Sequence, residues 1–244
     1  MSNYWKLVND VIRESDILLE ILDGRSIDET RNIEIEEKVK KSGKVLIYVI
    51  NKCDLVDKDK MEEAKKLLKP SVFISAKDHL GTSFLRAEIM KRAPKEGVKV
   101  GVLGYPNTGK SSVINALRGK AVAPTSCISG HTHGIQLVKI NQRLYLLDTP
   151  GVFPYKEKDE AKHAMTSAKT FSNIKDPELA AMEILEAFPK QLEKFYGVEH
   201  DDDPEQMLEK IAFKTRCIKK GNLPDTNKVT RRILKDWQEG RIRR

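Results

Sequence analysis

A chain of 244 residues, 39% hydrophobic and 33% charged, is long enough for one α/β domain and a smaller second unit. Its formal charge of +8 points to an acidic partner, and its three cysteines, Cys53, Cys127 and Cys217, form no C-x-x-C pair, which argues against a disulfide framework and for a reducing, cytoplasmic setting. The longest apolar stretches are about six residues, against the roughly 20 that span a bilayer, and the amino terminus is polar, so neither membrane insertion nor secretion is expected.

In chain order, short β-rich runs alternate with charged amphipathic stretches, the pattern of a mostly parallel sheet covered by helices. Strands are predicted over 16–22, 44–50, 71–74, 98–103, 135–140 and 143–147, the last two joined as a hairpin through Asn141 and Gln142. Helices are predicted over 6–13, 34–41, 58–68, 82–91 and 110–117. Pro94-Lys95-Glu96-Gly97 has the composition of a linker. Beyond about Asn173 the β-rich runs give way to helix-period stretches over 177–187, 191–196, 204–216 and 228–237. The expected architecture is α/β over 1–174, with a six-stranded, mostly parallel sheet and helices on both faces, followed by an all-helical domain over 175–244.

The first chemical motif is Asn51-Lys52-Cys53-Asp54, at the end of an apolar strand, where doubly wound sheets bind ligands. A carboxylate such as Asp54 can accept two N–H bonds from guanine, whereas adenine lacks that donor pair, and Asn51 can tie neighbouring loops together. Ser75-Ala76-Lys77 closes the next strand, where the Ala76 N–H can reach the guanine oxygen and Lys77 can cover the ring.

Gly104-Tyr105-Pro106-Asn107-Thr108-Gly109-Lys110-Ser111 lies between a strand and a helix and matches a phosphate-binding loop. Pro106 shapes the turn, Asn107, Thr108 and Gly109 offer backbone N–H groups, Lys110 a point charge, Ser111 a hydroxyl for Mg²⁺, and Ser112 follows in the first helical turn, where the dipole favours anions. Asp148-Thr149-Pro150-Gly151 places a carboxylate beside the metal and the Gly151 N–H near the terminal phosphate. In the polar loop between them, Thr132 is the expected switch threonine and a further Mg²⁺ ligand, whereas His131 and His133 read as loop residues. Lys110, Thr132 and Gly151 are therefore the expected catalytic groups. Val152 stands where many GTPases carry a water-orienting glutamine, so unaided hydrolysis is expected to be slow.

The base-reading motif precedes the phosphate loop, the reverse of the usual order, as though the chain had been cut and rejoined. The series N-K-C-D, S-A-K, G-Y-P-N-T-G-K-S, G-H-T-H-G and D-T-P-G resembles the circularly permuted GTPases of the YlqF/RbgA type, together with Asp23-Gly24-Arg25, Thr30-Arg31-Asn32 and a helical end containing Asp176 to Ala181. The resemblance implies GTP/GDP as ligands, Mg²⁺, a K⁺ ion held by Asn107, and stimulation by a large ribosomal subunit precursor and its rRNA. Two departures stand out. Gly24 replaces the usual alanine, and no histidine precedes His79, so the amino-terminal histidine of many bacterial members has no counterpart.

Residues 205–244 carry twelve Lys or Arg against five Asp or Glu, a balance of +7. The run from Arg231 to Arg244, with Trp237 inside it, is expected to lie on RNA phosphates. Alternatives are a GTPase of RNA modification or translation, and a nucleotide-gated RNA-binding scaffold with little turnover; an ATP-specific reading leaves Asp54 without matching donors.

Overall fold

A computed structural model describes residues 3–93, 97–119, 136–148 and 176–242. The chain divides into two compact units, Met1–Glu157 and Lys158–Arg244.

The first unit is built on a six-stranded sheet. Its strands are β1 (Ile17–Asp23), β2 (Val45–Asn51), β3 (Ser71–Phe73), β4 (Val98–Gly104), β5 (Gln136–Lys139) and β6 (Leu144–Asp148), in the spatial order β3-β2-β1-β4-β6-β5. The β3, β2, β1, β4 and β6 neighbours run parallel, and only β5 is antiparallel, paired with β6. The helices are α1 (Asn3–Glu14), α2 (Ile27–Thr30), α3 (Ile33–Lys41), α4 (Lys58–Leu67), α5 (Thr82–Arg92) and α6 (Lys110–Arg118).

Strand β1 is buried along its whole length, as a central parallel strand must be. Alternation sends Ile17, Leu19 and Ile21 to the face that packs with Leu85 of α5 and Val113 of α6. Leu18 faces the other way, among Trp5, Val8 and Val11 of α1 and Ile35 of α3. Each such fully buried aliphatic side chain contributes roughly 1.5–3 kcal/mol. Helix α1 comes this close because β4 has Gly101 beneath it: an added Cβ would lie 2.4 Å from Ser15 Oγ and 2.7 Å from both Leu18 Cδ1 and Val11 Cγ1. The carboxyl end of α1 is closed by Lys44, whose Nζ donates to the carbonyls of Ile12, Arg13 and Ser15 at 2.5–2.6 Å.

One polar side chain breaks the apolar run of β1. Glu20 is fully buried and accepts the Asn32 backbone N–H at 2.8 Å, while Asn32 Oδ1 caps α3 by accepting from Ile35 N at 3.2 Å. Burial pushes the Glu20 carboxyl up to about 8, with the Asn32 amide opposing, nearby Glu36 adding to the rise and Arg31 opposing it.

The second unit comprises α7 (Pro177–Ala187), α8 (Pro189–Tyr196), α9 (Pro204–Lys214) and α10 (Thr226–Gln238), with a two-stranded ribbon of β7 (Ile218–Lys219) and β8 (Leu223–Pro224) between the last two helices. Asp176, Asp203 and Asp225 cap three of the helices, accepting from Leu179 N, Glu205 N and Lys228 N at 3.0, 2.9 and 3.2 Å. The core gathers Ile184, Leu192, Ile211, Ile233 and Trp237, and Asp236, buried among them, accepts from Tyr196 Oη at 3.0 Å and pairs with Arg241 at 2.9 Å.

All six predicted strands are present. The short helix α2, a 3-10 turn at Cys53–Leu55 and the β7–β8 ribbon were not expected from the pattern, since each is at most four residues and too short to show a period. Residues 94–96 of the expected linker lie outside the described residues. No described helix is long and apolar enough to cross a membrane.

Candidate functional site

Four parallel strands bring their carboxyl ends to one edge of the sheet, and each ends in a residue the sequence singles out. Asp23 of β1 is in register with Asn51 of β2, Ile21 with Gly104 of β4, and Val102 with Asp148 of β6. Three polar residues and a glycine therefore finish strands whose interiors are mostly apolar, at the edge where open α/β sheets bind ligands.

The base-reading turn and the phosphate loop are joined at this edge by two adjacent bonds. Asn51, 3% exposed, donates from Nδ2 to the Thr108 carbonyl at 2.9 Å, and Lys52 Nζ donates to the Asn107 carbonyl at 3.0 Å. Asn51 Oδ1 also accepts the Ala76 N–H at 3.1 Å, so one carboxamide ties together the loops after β2, β3 and β4. The Ala76 N–H expected to meet a purine oxygen is thus already engaged by Asn51, and a purine must share or displace that bond. Ser75 is fully buried, with its hydroxyl 2.9 Å from an Asp78 carboxylate oxygen and a bridge to Leu80 holding the turn, while Lys77 is exposed. Asp54 lies half-buried in the 3-10 turn.

The loop from Gly104 to Lys110 wraps around its own backbone. Thr108, fully buried, donates from Oγ1 to the Tyr105 carbonyl at 3.0 Å, and Lys110 Nζ donates to the same carbonyl at 2.7 Å. Burial pushes the Lys110 ammonium down to about 8, with Asp148 holding it up. Gly109 opens α6 at φ 97, and a Cβ there would lie 2.3 Å from Asn51 Nδ2, so both the backbone and the Asn51 bridge require glycine. Asn107 and Pro106 form the outer turn, and Ser111 and Ser112 are exposed at the first turn of α6. Thr132 and Gly151 lie outside the described residues.

One group was not assigned a task by its sequence pattern. Asp23, 1% exposed, receives Arg25 Nε at 3.0 Å and a terminal Arg25 nitrogen at 2.8 Å, together with Lys52 Nζ at 2.7 Å. The Asp23-Gly24-Arg25 spacing was visible, but the partner Lys52 is distant in sequence, and only strand register brings the two together.

In the second unit, α10 presents Lys228, Arg231, Arg232 and Lys235 to solvent at helical spacing, and buries Val229, Ile233 and Leu234. Trp237 departs from the expectation of an RNA-facing residue: it is 1% exposed and packs on Phe188 with ring centroids 4.8 Å apart. Its position continues the apolar stripe of α10, so the same periodicity that exposes the cations buries the indole.

A parallel sheet whose base-reading turn comes before its phosphate loop, with the two cross-bridged at the strand ends, defines a circularly permuted P-loop nucleotide-binding domain. Comparison with known proteins leads to the same class. The family model described as a 50S ribosome-binding GTPase matches residues 99–212, a span that starts in β4 and leaves Asn51 upstream, as permutation requires. The chain is 39% identical over 245 residues to the uncharacterized GTP-binding protein MJ1464 of Methanocaldococcus jannaschii, covering 97% of this chain and 65% of that protein. It is 32% identical to nucleolar GTP-binding protein 2 of Saccharomyces cerevisiae, covering 98% of this chain and 52% of that one. GNP-bound YlqF from T. maritima shares its fold, with a TM-score of 0.70 at 22% identity, over 98% of this chain and 94% of that one. The chain has the fold of YlqF and is similar over nearly its whole length to GTP-binding proteins. It spans less than two thirds of the length of these curated sequence relatives.

Proposed function

We propose that this protein binds GTP and GDP, hydrolyses GTP, and acts in the cytoplasm on a large ribosomal subunit precursor through contacts with rRNA. The observation that carries the nucleotide reading is the double bridge from Asn51 and Lys52 to the Thr108 and Asn107 carbonyls, which holds a guanine-type motif against a phosphate loop. In this reading Asp54 accepts the guanine N–H pair, Ser75-Ala76-Lys77 lines the base, and residues 106–112 cradle the phosphates.

The donor set suits Mg²⁺: the Ser111 hydroxyl and the Asp148 carboxylate are hard oxygen ligands, and Asp148 sits near enough to Lys110 to hold up its pKa. Bound Mg²⁺ supplies charge neutralisation at the β- and γ-phosphates. Thr132 is the third proposed ligand. Lys110 and the Gly151 N–H stabilise the transferred phosphoryl group, and Asn107 holds K⁺ against it. The basic face of α10 makes the rRNA contact, consistent with the description of the matching family as 50S ribosome-binding and with the nucleolar names of relatives.

The test is GTP turnover in K⁺ and in Na⁺, with and without large-subunit precursor particles, alongside co-sedimentation on gradients. Stimulated turnover in K⁺ and GTP-dependent co-sedimentation with the precursor are expected. Binding to free tRNA or mature ribosomes alone would move the protein to RNA modification or translation, and nucleotide-dependent RNA binding without turnover would make it a scaffold.

A further inference from the structure

The function proposed above uses Lys52 but leaves Asp23 and Arg25 without a chemical task, although with Lys52 they bring three charges together at the site's edge. Asp23 ends β1 and donates its own N–H to Thr30 Oγ1 at 3.1 Å. The side chains of Asp23, Arg25 and Lys52 are 1%, 3% and 22% exposed. Burial alone would raise the Asp23 carboxyl, but Arg25 and Lys52 outweigh it and hold the group well below the usual carboxylate range. Burial pushes the Lys52 ammonium down, Asp23 acts against that, and Arg25 adds to it.

An Asp–Arg pair by itself would be an ordinary buried ion pair. The third charge makes the difference. Arg25 takes both Asp23 oxygens in a fork, yet Asp23 Oδ2 also accepts Lys52 Nζ at 2.7 Å, and the same ammonium reaches the Asn107 carbonyl at 3.0 Å. Lys52 and Asn107 are both non-glycine residues in the left-handed region, at φ 61 and φ 59. Such a conformation persists where neighbouring contacts over-determine it. The Lys52 ammonium is the contact common to both turns.

We propose that Asp23 is a positioning residue of the nucleotide site, acting through Lys52: it fixes the ammonium on the Asn107 carbonyl, and so sets the span between the base-reading turn and the phosphate loop. Arg25 and Thr30 hold Asp23 in place for that task. The inference rests on the nucleotide reading of the site.

Asp23→Asn alone would strand a buried Arg25 and risk the fold, so the decisive variant is Asp23→Asn with Arg25→Met, which removes both buried charges. Two measurements are paired, with the fold checked by the amide spectrum. In nucleotide-free protein, lysine NMR follows the Lys52 ammonium protons, which the bonds to Asp23 and to the Asn107 carbonyl protect from exchange and whose signal should be lost in the double variant. With mant-GDP as probe, the double variant should bind roughly tenfold more weakly, and adding Lys52→Met should cost nothing further, because residues acting as one unit are not additive. Should the Lys52 ammonium signal persist in the double variant, or should the losses of the double variant and of Lys52→Met multiply, the positioning role is wrong. A wild-type protein that binds no mant-GDP would instead overturn the nucleotide reading itself, and the inference with it.

Discussion

At the scale of single residues, two buried titratable groups translate into two kinds of pH dependence, one of binding and one of stability. Lys110 sits at about 8 in the described state, pushed down by burial. A phosphate anion beside it would raise that value, so the complex retains a proton that the free protein loses above about pH 8. Affinity for mant-GDP should therefore fall as pH rises from 8 towards the bound-state value, with a slope approaching about tenfold per pH unit. Lys110→Arg, which stays charged, should bind less well but with a flatter profile; a wild-type profile level to pH 9.5 would remove Lys110 from phosphate binding. Glu20 acts on the fold. Between its ordinary value of 4.5 and its folded value of about 8, the unfolded chain releases a proton that the folded chain keeps, so stability falls as pH rises through that window. Glu20→Gln preserves an acceptor for the Asn32 amide and removes the slope. Its melting temperature should gain on the wild type by about 5 °C between pH 5 and pH 8, and an unchanged difference would show that Glu20 ionises freely. Neither shift was legible in the sequence. The motif marks Lys110 as an expected phosphate ligand, whereas Glu20 looks like one polar residue in an apolar run, and its burial depends on α3 and on Asn32, twelve residues away.

At the scale of elements, the strands were the most legible part of the chain and their ends the least. The apolar runs predicted β1, β2 and β4 one residue short at the carboxyl end, because Asp23, Asn51 and Gly104 look like turn residues. They remain in the ladder because parallel register pairs Asp23 with Asn51 and Ile21 with Gly104, and this extra rung is what aligns the site. In the second unit, the charge run foretold a basic helix, but only the period of α10 sorts its members. Lys228, Arg231, Arg232 and Lys235 face solvent, and of these Arg232 lies 3.7 Å from Asp236 and Lys235 3.9 Å from Glu239. Lys228 and Arg231 form no ion pair among the described residues, so they are the members with charge to give to phosphate. Lys228→Glu with Arg231→Glu should leave the core of Val229, Ile233 and Leu234 intact and weaken RNA binding. The dependence of log affinity on log salt should become shallower by about two, one counterion contact for each residue. An unchanged salt slope would take α10 out of the RNA interface. Trp237 offers an internal contrast: changing it should lower stability rather than affinity, since it lies in the core against Phe188.

At the scale of the whole molecule, the permutation changes what is connected to what without changing what meets at the sheet edge. The guanine-type turn, the phosphate loop and Asp148 all reach that edge from parallel strands. In this chain order, Asp148 is the last site residue of β6, and the next described element, α7 at Pro177–Ala187, already belongs to the second compact unit. The segment that would sense the γ-phosphate, with Thr149, Pro150 and Gly151, is therefore also the segment that leads to the basic helices. If that segment takes different conformations with GTP and GDP, the two states present the basic unit differently to RNA, and the effect must be reciprocal: the factor by which GTP changes RNA affinity is the factor by which RNA changes GTP affinity. A coupling of ordinary size is about 5-fold to 150-fold. Affinity for a large-subunit rRNA fragment, measured with a non-hydrolysable GTP analogue and with GDP at one salt concentration, should differ by a factor in that range, and mant-GTP-analogue affinity with and without the fragment should return the same factor. Lengthening the connection after Asp148 with a flexible insert should reduce both factors together while leaving each separate affinity near its uncoupled value. Equal RNA affinity in the two nucleotide states, with hydrogen exchange over 177–242 also unchanged, would mean that the permuted order carries no signal between the units.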